Sequence, residues 1–447
     1  MGQASITSAA LFGSAVAVLA GQWPSRPVEA RWLIAVPGVI FGLALASCGL
    51  GGLTAGALAP GLALNTLATG LVASTLFAAN LGVKHPAVVA QVGRSLAALS
   101  LWAVVFVFAE SSIWALVSFE AVLLAAINLL RLTSKSERVG EAATEMGLWA
   151  LAGSAFLVVG FASSGLSSPA LGSFDQLRAA CPPQAVGLFF VIGFGVKVPI
   201  WPFASWLLKA HVEAAAEFSV LLSGFIVKLG VVGLARFVEA SGSDLAAVAL
   251  VAASAVAVVE ALSRLFAQTD LKRVVALTTV VEMNWAMVCL ALGGPAGAKL
   301  AGFVITAHSL TTAAEFFLVE ALARRYGSRD CWRIGGLGLA YPNLWRVSVA
   351  TTLVTIGLPG SSLFFAKLVF FGAAAQVSGV LFVFFLAALG VALPLFFVRL
   401  WAPIWFGSAP GTRSATAPDL STRELISILG PTAAGVVLGL APGLAWF

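Results

Sequence analysis

Apolar runs of about twenty residues recur along the whole of this chain, and they restrict what it can fold into. In lipid there is no water to bond the backbone, so only helix bundles and closed barrels satisfy its polar groups. Barrel strands would alternate in polarity over about ten residues. The runs here are continuous and match the roughly twenty residues that a spanning helix needs. Of the 447 residues, 60% are hydrophobic and only 10% charged, against about 25% charged in a soluble domain. The mean hydropathy of +1.01 leaves no room for a large aqueous domain. The expectation is an all-α polytopic membrane protein.

Breaking the runs at charges, prolines and polar clusters gives fourteen spans. They fall at residues 4–20, 32–52, 56–80, 95–109, 111–131, 142–164, 184–207, 217–238, 245–266, 273–293, 299–322, 346–372, 377–400 and 425–446. The first is read as a retained span, because the stretch from Met1 to Leu19 has no basic n-region and no clear cleavage site. The distribution of lysine and arginine checks the count, since basic residues concentrate on one side of a membrane. Nineteen of the 25 lie in loops or edges that follow odd-numbered spans, and only Arg178, Arg236 and Lys299 follow even-numbered ones. A wrong count would scramble that asymmetry. Both termini are expected on the less basic side. The net charge of +6 is therefore a matter of topology, and no basic helical face suits nucleic acid.

Three lysines remain, Lys197, Lys228 and Lys367, and all of them fall inside spans. Glu120, Glu282, His308 and Glu315 do so as well, the last two seven residues apart on one helical face with Thr311 and Thr312 between them. A charge at mid-membrane costs at least about 2.5 kcal/mol and persists where it is paired, hydrated or functional. Glu260 and Arg264, four apart near a span end, read as a local structural pair. One further pair could be structural too. Three lysines, a histidine and several glutamates on separate spans favour a proton or ion path.

Two spans are interrupted beside such a lysine. Lys197 is followed by Pro199 and Pro202, and Gly357, Pro359 and Gly360 precede Lys367. Proline removes a donor and breaks a helix, and transporters build ion sites at such breaks. Burial lowers the proton affinity of a lysine and a nearby carboxylate raises it. A Lys197–Glu120 pair would hold the proton, and separation of the pair would release it. Arginine could not switch in this way, its pKa being above about 12.

Cys48, Cys181, Cys289 and Cys331 form no C-x-x-C pair, so no iron–sulfur or zinc site is indicated. No glycine-rich phosphate loop follows a strand, so no nucleotide site is indicated either. No cofactor is expected in this chain.

The segment from Gly193, GFGVKVPIWPFASWLLKAHVEAAAEFSVLLSGFIVKLGVVGLARF, resembles the core of the antiporter-like chain 4 (chain M in bacteria) of respiratory complex I, NADH:ubiquinone oxidoreductase. AQTDLKRVVALTTVVEMN, the run from Ala307 through HSLTTAAEFFLVEALARRYGSRD, and IGLPGSSLFFAKLVFF resemble further parts of it. Together they cover the chain from about Ser111 to Phe371. The resemblance implies two inverted five-helix repeats with broken helices. Residues 1–94 would hold the first three helices, 95–240 the first repeat (helices 4–8), 241–402 the second (helices 9–13), and 403–447 the last loop and helix.

The same resemblance implies a proton relay. Glu120 and Lys197 would be its paired glutamate and lysine, Lys228 the connecting lysine, and His308 the histidine of the central axis, with Lys367 on the exit side. Glu282 and Glu315 join this set. Three positions depart from the family. Chain 4 usually has glutamate where Lys367 stands, whereas sister subunits 2 and 5 have lysine. A histidine is usual at Glu282, and the usual LPDAHVEAP reads LLKAHVEAA from Leu207.

Such a subunit would be part of an enzyme without a redox centre of its own. NAD, FMN, iron–sulfur clusters and ubiquinone belong to other subunits, and the neighbours would be subunits 2 and 5 in the lipid bilayer. The short chain and reduced loops point to the mitochondrial inner membrane, with a bacterial plasma membrane as the alternative. Competing readings are a subunit of a multi-subunit Na+/H+ antiporter or membrane-bound hydrogenase, a structural membrane scaffold without its own proton path, and a small-molecule permease.

Overall fold

A computed structural model of the chain describes residues 36–45, 60–83, 85–164, 172–180, 182–388, 392–408 and 418–445. The first expected span and the outer parts of the second lie outside the described residues, as do Arg26, Arg31, Lys84 and Arg413. The rest is helical. Among the described residues, extended pairing is confined to two isolated bridges, Ser111–Ser173 and Asp270–Asp330.

The helices come in the expected order. They are α1 (Val36–Leu45), α2 (Pro60–Asn80), α3 (Pro86–Phe108), α4 (Ser112–Thr133), α5 (Val139–Ala162), the short α6 (Phe174–Ala179), α7 (Gln184–Gly195), α8 (Ser205–Glu213) and α9 (Ala216–Ser241). After these come α10 (Asp244–Ala267), α11 (Leu271–Leu290), α12 (Gly294–Tyr326), the one-turn α13 (Leu337–Ala340), α14 (Pro342–Ile356), α15 (Ser362–Val377), α16 (Gly379–Ala387), α17 (Leu393–Phe406) and α18 (Thr422–Leu440). Nine helices among the described residues are long and apolar enough to cross a membrane.

The other expected spans are in pieces. Span 7 is α7 and α8, and span 12 is α14 and α15. Span 13 is α16 and α17, separated by residues that include the undescribed 389–391. Gly357 ends α14 at φ +80° and Gly360 follows at φ +92°, a region that costs most other residues about 1–2 kcal/mol. Ser361 then caps α15, its hydroxyl accepting from Phe364 N–H at 3.2 Å.

Several boundaries differ from expectation. α3 begins at Pro86, nine residues early, because Gln91 and Arg94 ride on the helix and do not end it. α12 has 33 residues, about 50 Å at 1.5 Å each, and overshoots the hydrocarbon layer. Arg236, expected in a loop, lies within α9 and is 1% exposed. It donates to the carbonyls of Phe106 (2.9 Å), Val107 (3.2 Å) and Ala109 and so satisfies the orphan end of α3.

The core is a column of three helices. The most apolar stretches of α9 and α12 are wholly buried and that of α11 is 89% buried, whereas that of α5 is only 33% buried. α5, α3 and α10 thus turn apolar side chains such as Leu148, Leu151, Leu101 and Val248 outward to lipid. The two ends of the bundle differ in charge. At one end Arg329 donates to Val212 O at 2.9 Å, Lys272 donates to Ala214 O, and Lys209 pairs with Glu145 at 3.1 Å. These contacts gather the basic connections of α4–α5, α8–α9, α10–α11 and α12–α13 on one face. The opposite end carries Ser111–Ser173 and the Arg178–Glu239 pair.

Candidate functional site: a buried ionisable axis

The break between α7 and α8 is what brings a lysine to the middle of the bundle. Pro199 and Pro202 lack N–H groups, and the chain passes from α7 to α8 through turns. The backbone groups that this leaves open find partners. Trp206 Nε1 donates to Val196 O at 2.7 Å, and Asn284 Nδ2 donates to Val280 O at 2.7 Å and to Pro199 O at 3.4 Å. Irregular backbone is tolerated at membrane depth only where protein satisfies it in this way.

Lys197 leaves this turn toward α4 and α5. Its Nζ donates to Glu120 Oε1 at 2.6 Å and to Ser154 Oγ at 3.2 Å. Ser154 Oγ in turn donates to Glu120 Oε1 at 2.5 Å, which closes a triangle of three helices. The ammonium also lies 4.2 Å from the centroid of the Phe119 ring, within cation–π range. Lys197 is 4% exposed, while the Glu120 side chain is 34% exposed, so the pair opens outward through the glutamate. Gly153 allows the approach of α5, since a Cβ there would lie 2.7 Å from Gly193 O.

A second cluster occupies the column. α9 contains a π-helical turn at Leu222–Ile226, where Val227 N–H bonds Leu222 O five residues back. Such turns are frequent at functional sites. Lys228 Nζ donates to Ser223 O, and Lys228 is fully buried. The Ser223 hydroxyl lies 2.9 Å from Thr279 Oγ1, 3.1 Å from Thr312 Oγ1 and 3.2 Å from His308 Nε2. The other ring nitrogen, His308 Nδ1, is 2.7 Å from Glu282 Oε2, with both side chains at most 3% exposed. The histidine thus joins a hydroxyl cluster to a carboxylate. A neutral imidazole donates from one nitrogen and accepts at the other, which is what a relay needs.

Glu282, bonded to His308, also lies within electrostatic range of the ionisable groups of Lys228, Lys367 and Glu315. Lys367 donates to Ile356 O, the carbonyl freed at the end of α14, and packs against Gly357. Glu315, 7% exposed, faces Thr355 of α14.

The seven residues singled out from the sequence therefore form two groups. Glu120 and Lys197 make one, and Lys228, His308, Glu282, Lys367 and Glu315 the other. No direct hydrogen bond joins Lys197 to Lys228 among the described residues. Val198 and Gly230 pack between their segments, and Asn284 stands beside the break with a buried, unpartnered Oδ1. Among the described residues no cluster of three histidine, cysteine or acidic side chains suits a metal ion.

Sequence reading missed the small polar groups that connect the charges: Ser154, Ser223 and Thr279. A serine in a membrane helix commonly bonds its own backbone, so nothing in the sequence marks these three. It also missed three buried residues on the basic side. Lys272, 4% exposed, bonds Ala214 O, and Glu217, 8% exposed, accepts from Gly82 N–H at 3.1 Å. His211 is fully buried against Phe316, ring centroids 4.8 Å apart, with both nitrogens unpartnered.

Comparison with known proteins gives a consistent result. Residues 109–392 match the family described as NADH:quinone oxidoreductase/Mrp antiporter, transmembrane. The chain is 34% identical to NADH-ubiquinone oxidoreductase chain 4 of Paramecium tetraurelia over 241 residues, 53% of this chain and 50% of that one. It is 30% identical to NAD(P)H-quinone oxidoreductase chain 4 2 of Synechococcus sp. (strain JA-3-3Ab) over 68% of this chain and 60% of the relative. The chain thus spans about half to three fifths of the length of these curated relatives.

The fold is shared with a chain of respiratory complex I from Thermus thermophilus with bound NADH (TM-score 0.78, 22% identity, 99% of this chain and 98% of that one). It is also shared with a chain of the Mrp complex from Dietzia sp. DQ12-45-1b (TM-score 0.80, 18% identity, 100% and 96%). An all-helical bundle with broken helices, a match over more than half its length and relatives named as chain 4 lead to one assignment: the chain belongs to the NADH:quinone oxidoreductase/Mrp antiporter family of multi-pass membrane subunits.

Proposed function

We propose that this chain is a proton-translocating subunit of respiratory complex I, and that protons cross it along the buried glutamate–lysine–histidine axis. The observation that carries the reading is the hydrogen-bonded chain from the Thr279, Thr312 and Ser223 hydroxyls through His308 to Glu282, wholly inside the protein, with the Lys228 ammonium held beside it on the Ser223 carbonyl. Groups that titrate are expensive in hydrocarbon, and here His308 and Glu282 continue a run of hydroxyls that can pass a proton. The Glu120–Ser154–Lys197 triangle is a second, separable store. Water beside Asn284 would join the two, since a bridging water carries a hydrogen bond over a gap that the side chains cannot span.

In this reading the two broken spans belong to two inverted repeats, residues 95–240 and 241–402. The redox cofactors and the neighbouring antiporter-like subunits 2 and 5 lie in other chains of the complex. The basic loops face the side from which protons are drawn. The membrane proposed is the mitochondrial inner membrane; for a bacterial owner, as with some of the relatives, it would be the plasma membrane.

The test uses membrane vesicles that hold the assembled complex. Co-purification with an NADH-oxidising, quinone-reducing assembly establishes membership, and its absence would sink the complex I assignment. Lys197→Met is expected to remove most NADH-driven proton uptake. It leaves Glu120 without its cation, at a cost of about 1–3 kcal/mol. Lys197→Arg separates relay from scaffold. Arginine restores the ion pair and hence stability but does not give up its proton. Stability regained with transport still lost supports the relay. Full proton uptake in the arginine variant would mean that the pair only clamps helices.

A further inference from the structure

On the basic face, α10 and α17 meet at Phe266 and Phe396, whose rings make an edge contact at 5.5 Å. Beside that contact a cleft of about 220 Å³ opens, walled by Phe266, Leu400, Pro403 and Trp332 and edged by Gln268 and Arg399. It mixes polar and apolar walls. It stands where the bundle passes from hydrocarbon to its basic end.

We propose that this cleft binds the headgroup of an anionic phospholipid. The guanidinium of Arg399 would take the phosphodiester, and the acyl chains would run down α17. Four observations support it. Arg399 is exposed on α17 and lines the cleft. The nearby carboxylates have other partners. Asp270 caps α11 and pairs with Arg329 at 3.4 Å, and Asp330 accepts from Trp332 N–H and pairs with Arg333 at 3.9 Å. The Gln268 amide oxygen accepts from Thr269 and Asp270 N–H at 3.1 and 3.2 Å, so its NH₂ end is the one left to donate to an oxyanion. Finally, Trp332, 61% exposed, lines the cleft on the basic face, where an interfacial tryptophan would meet headgroups, and Leu395 and Val398 continue an exposed apolar strip along α17. Basic pockets between helices on the inner side of a membrane are suited to acidic headgroups.

Trp332 is the reporter for the test. The complex is reconstituted in bilayers containing increasing fractions of brominated phosphatidylglycerol or brominated phosphatidylcholine with the same chains. The Trp332 signal is the difference between the parent protein and Trp332→Phe. Phosphatidylglycerol is expected to quench half-maximally at a mole fraction about fivefold lower than phosphatidylcholine, the preference that one arginine near the surface supplies. Arg399→Gln should erase the preference, and Arg273→Gln, on the same face but outside the cleft, should leave it intact. Equal quenching by the two lipids in the parent protein overturns the proposal, whether or not the variants fold. So does a preference that survives in Arg399→Gln or disappears in Arg273→Gln, since surface charge at large would then be responsible. Loss of the preference on adding inorganic phosphate at matched ionic strength would assign the cleft to free anions and overturn the lipid reading.

Discussion

At the scale of single residues, the axis sets a few costly charges among many inexpensive hydroxyls. The charges stand out in sequence because lysine, glutamate and histidine are rare in spans. The hydroxyls are hidden, because serine and threonine in helices usually bond their own backbone. Ser154 does this too, its Oγ lying 2.8 Å from Ala150 O and 2.5 Å from Glu120. Its removal tests how much of the Glu120–Lys197 pair depends on it. Ser154→Ala leaves the direct 2.6 Å contact in place. The expected loss is therefore only about 1 kcal/mol by thermal unfolding, and proton uptake is slowed without being abolished. A loss as complete as that of Lys197→Met would make Ser154 an obligatory carrier.

At the scale of elements, the interruptions place the lysines. Each break frees carbonyls, and in the second the lysine itself takes one, Lys367 bonding Ile356 O. Gly357 makes this possible, because a Cβ there would lie 3.0 Å from Lys367 Nζ on a backbone with φ +80°. Gly357→Ala should cost about 1–2 kcal/mol in detergent melting, with Lys367 displaced and proton uptake impaired. Gly372 lies within α15 with open space where its Cβ would go. Gly372→Ala should leave activity unchanged and raise stability by about 0.5–1 kcal/mol. If both substitutions behave alike, the turn at Gly357 is not under the constraint described.

For the whole molecule, the last helix is tied to the column by a largely buried ion pair. Arg325 of α12 is 3% exposed and meets Glu424 of α18 through two hydrogen bonds, at 3.0 and 2.9 Å. The same guanidinium bonds Pro418 O at 3.2 Å and Ala321 O at 2.8 Å. Arg325→Leu leaves the carboxylate only Arg324 at 3.7 Å and the Ser421 donors, and should destabilise by about 1–3 kcal/mol. A double-mutant cycle with Glu424→Leu should return a coupling on the order of 2 kcal/mol. Additive losses would show that α18 is held without help from this pair.

The sequence by itself determined the membrane class, the helical order, the sidedness of the basic loops and the identity of the seven ionisable residues inside the spans. These follow from local rules, since a run of apolar residues has one stable form in lipid and a charge within it is conspicuous. It also marked the breaks beside Lys197 and Lys367, because proline and glycine act on the residues beside them; the division of span 13 it did not mark. Tertiary structure decided the rest. That Lys197 reaches Ser154 as well as Glu120, that a π turn places the Ser223 carbonyl under Lys228, and that Glu282 stands among His308, Lys228 and Lys367 all depend on which helices touch. Helix faces in lipid carry little directional hydrophobic signal, because tails and leucines are equally apolar. Contact between helices far apart in the chain therefore had to be read from the packed molecule.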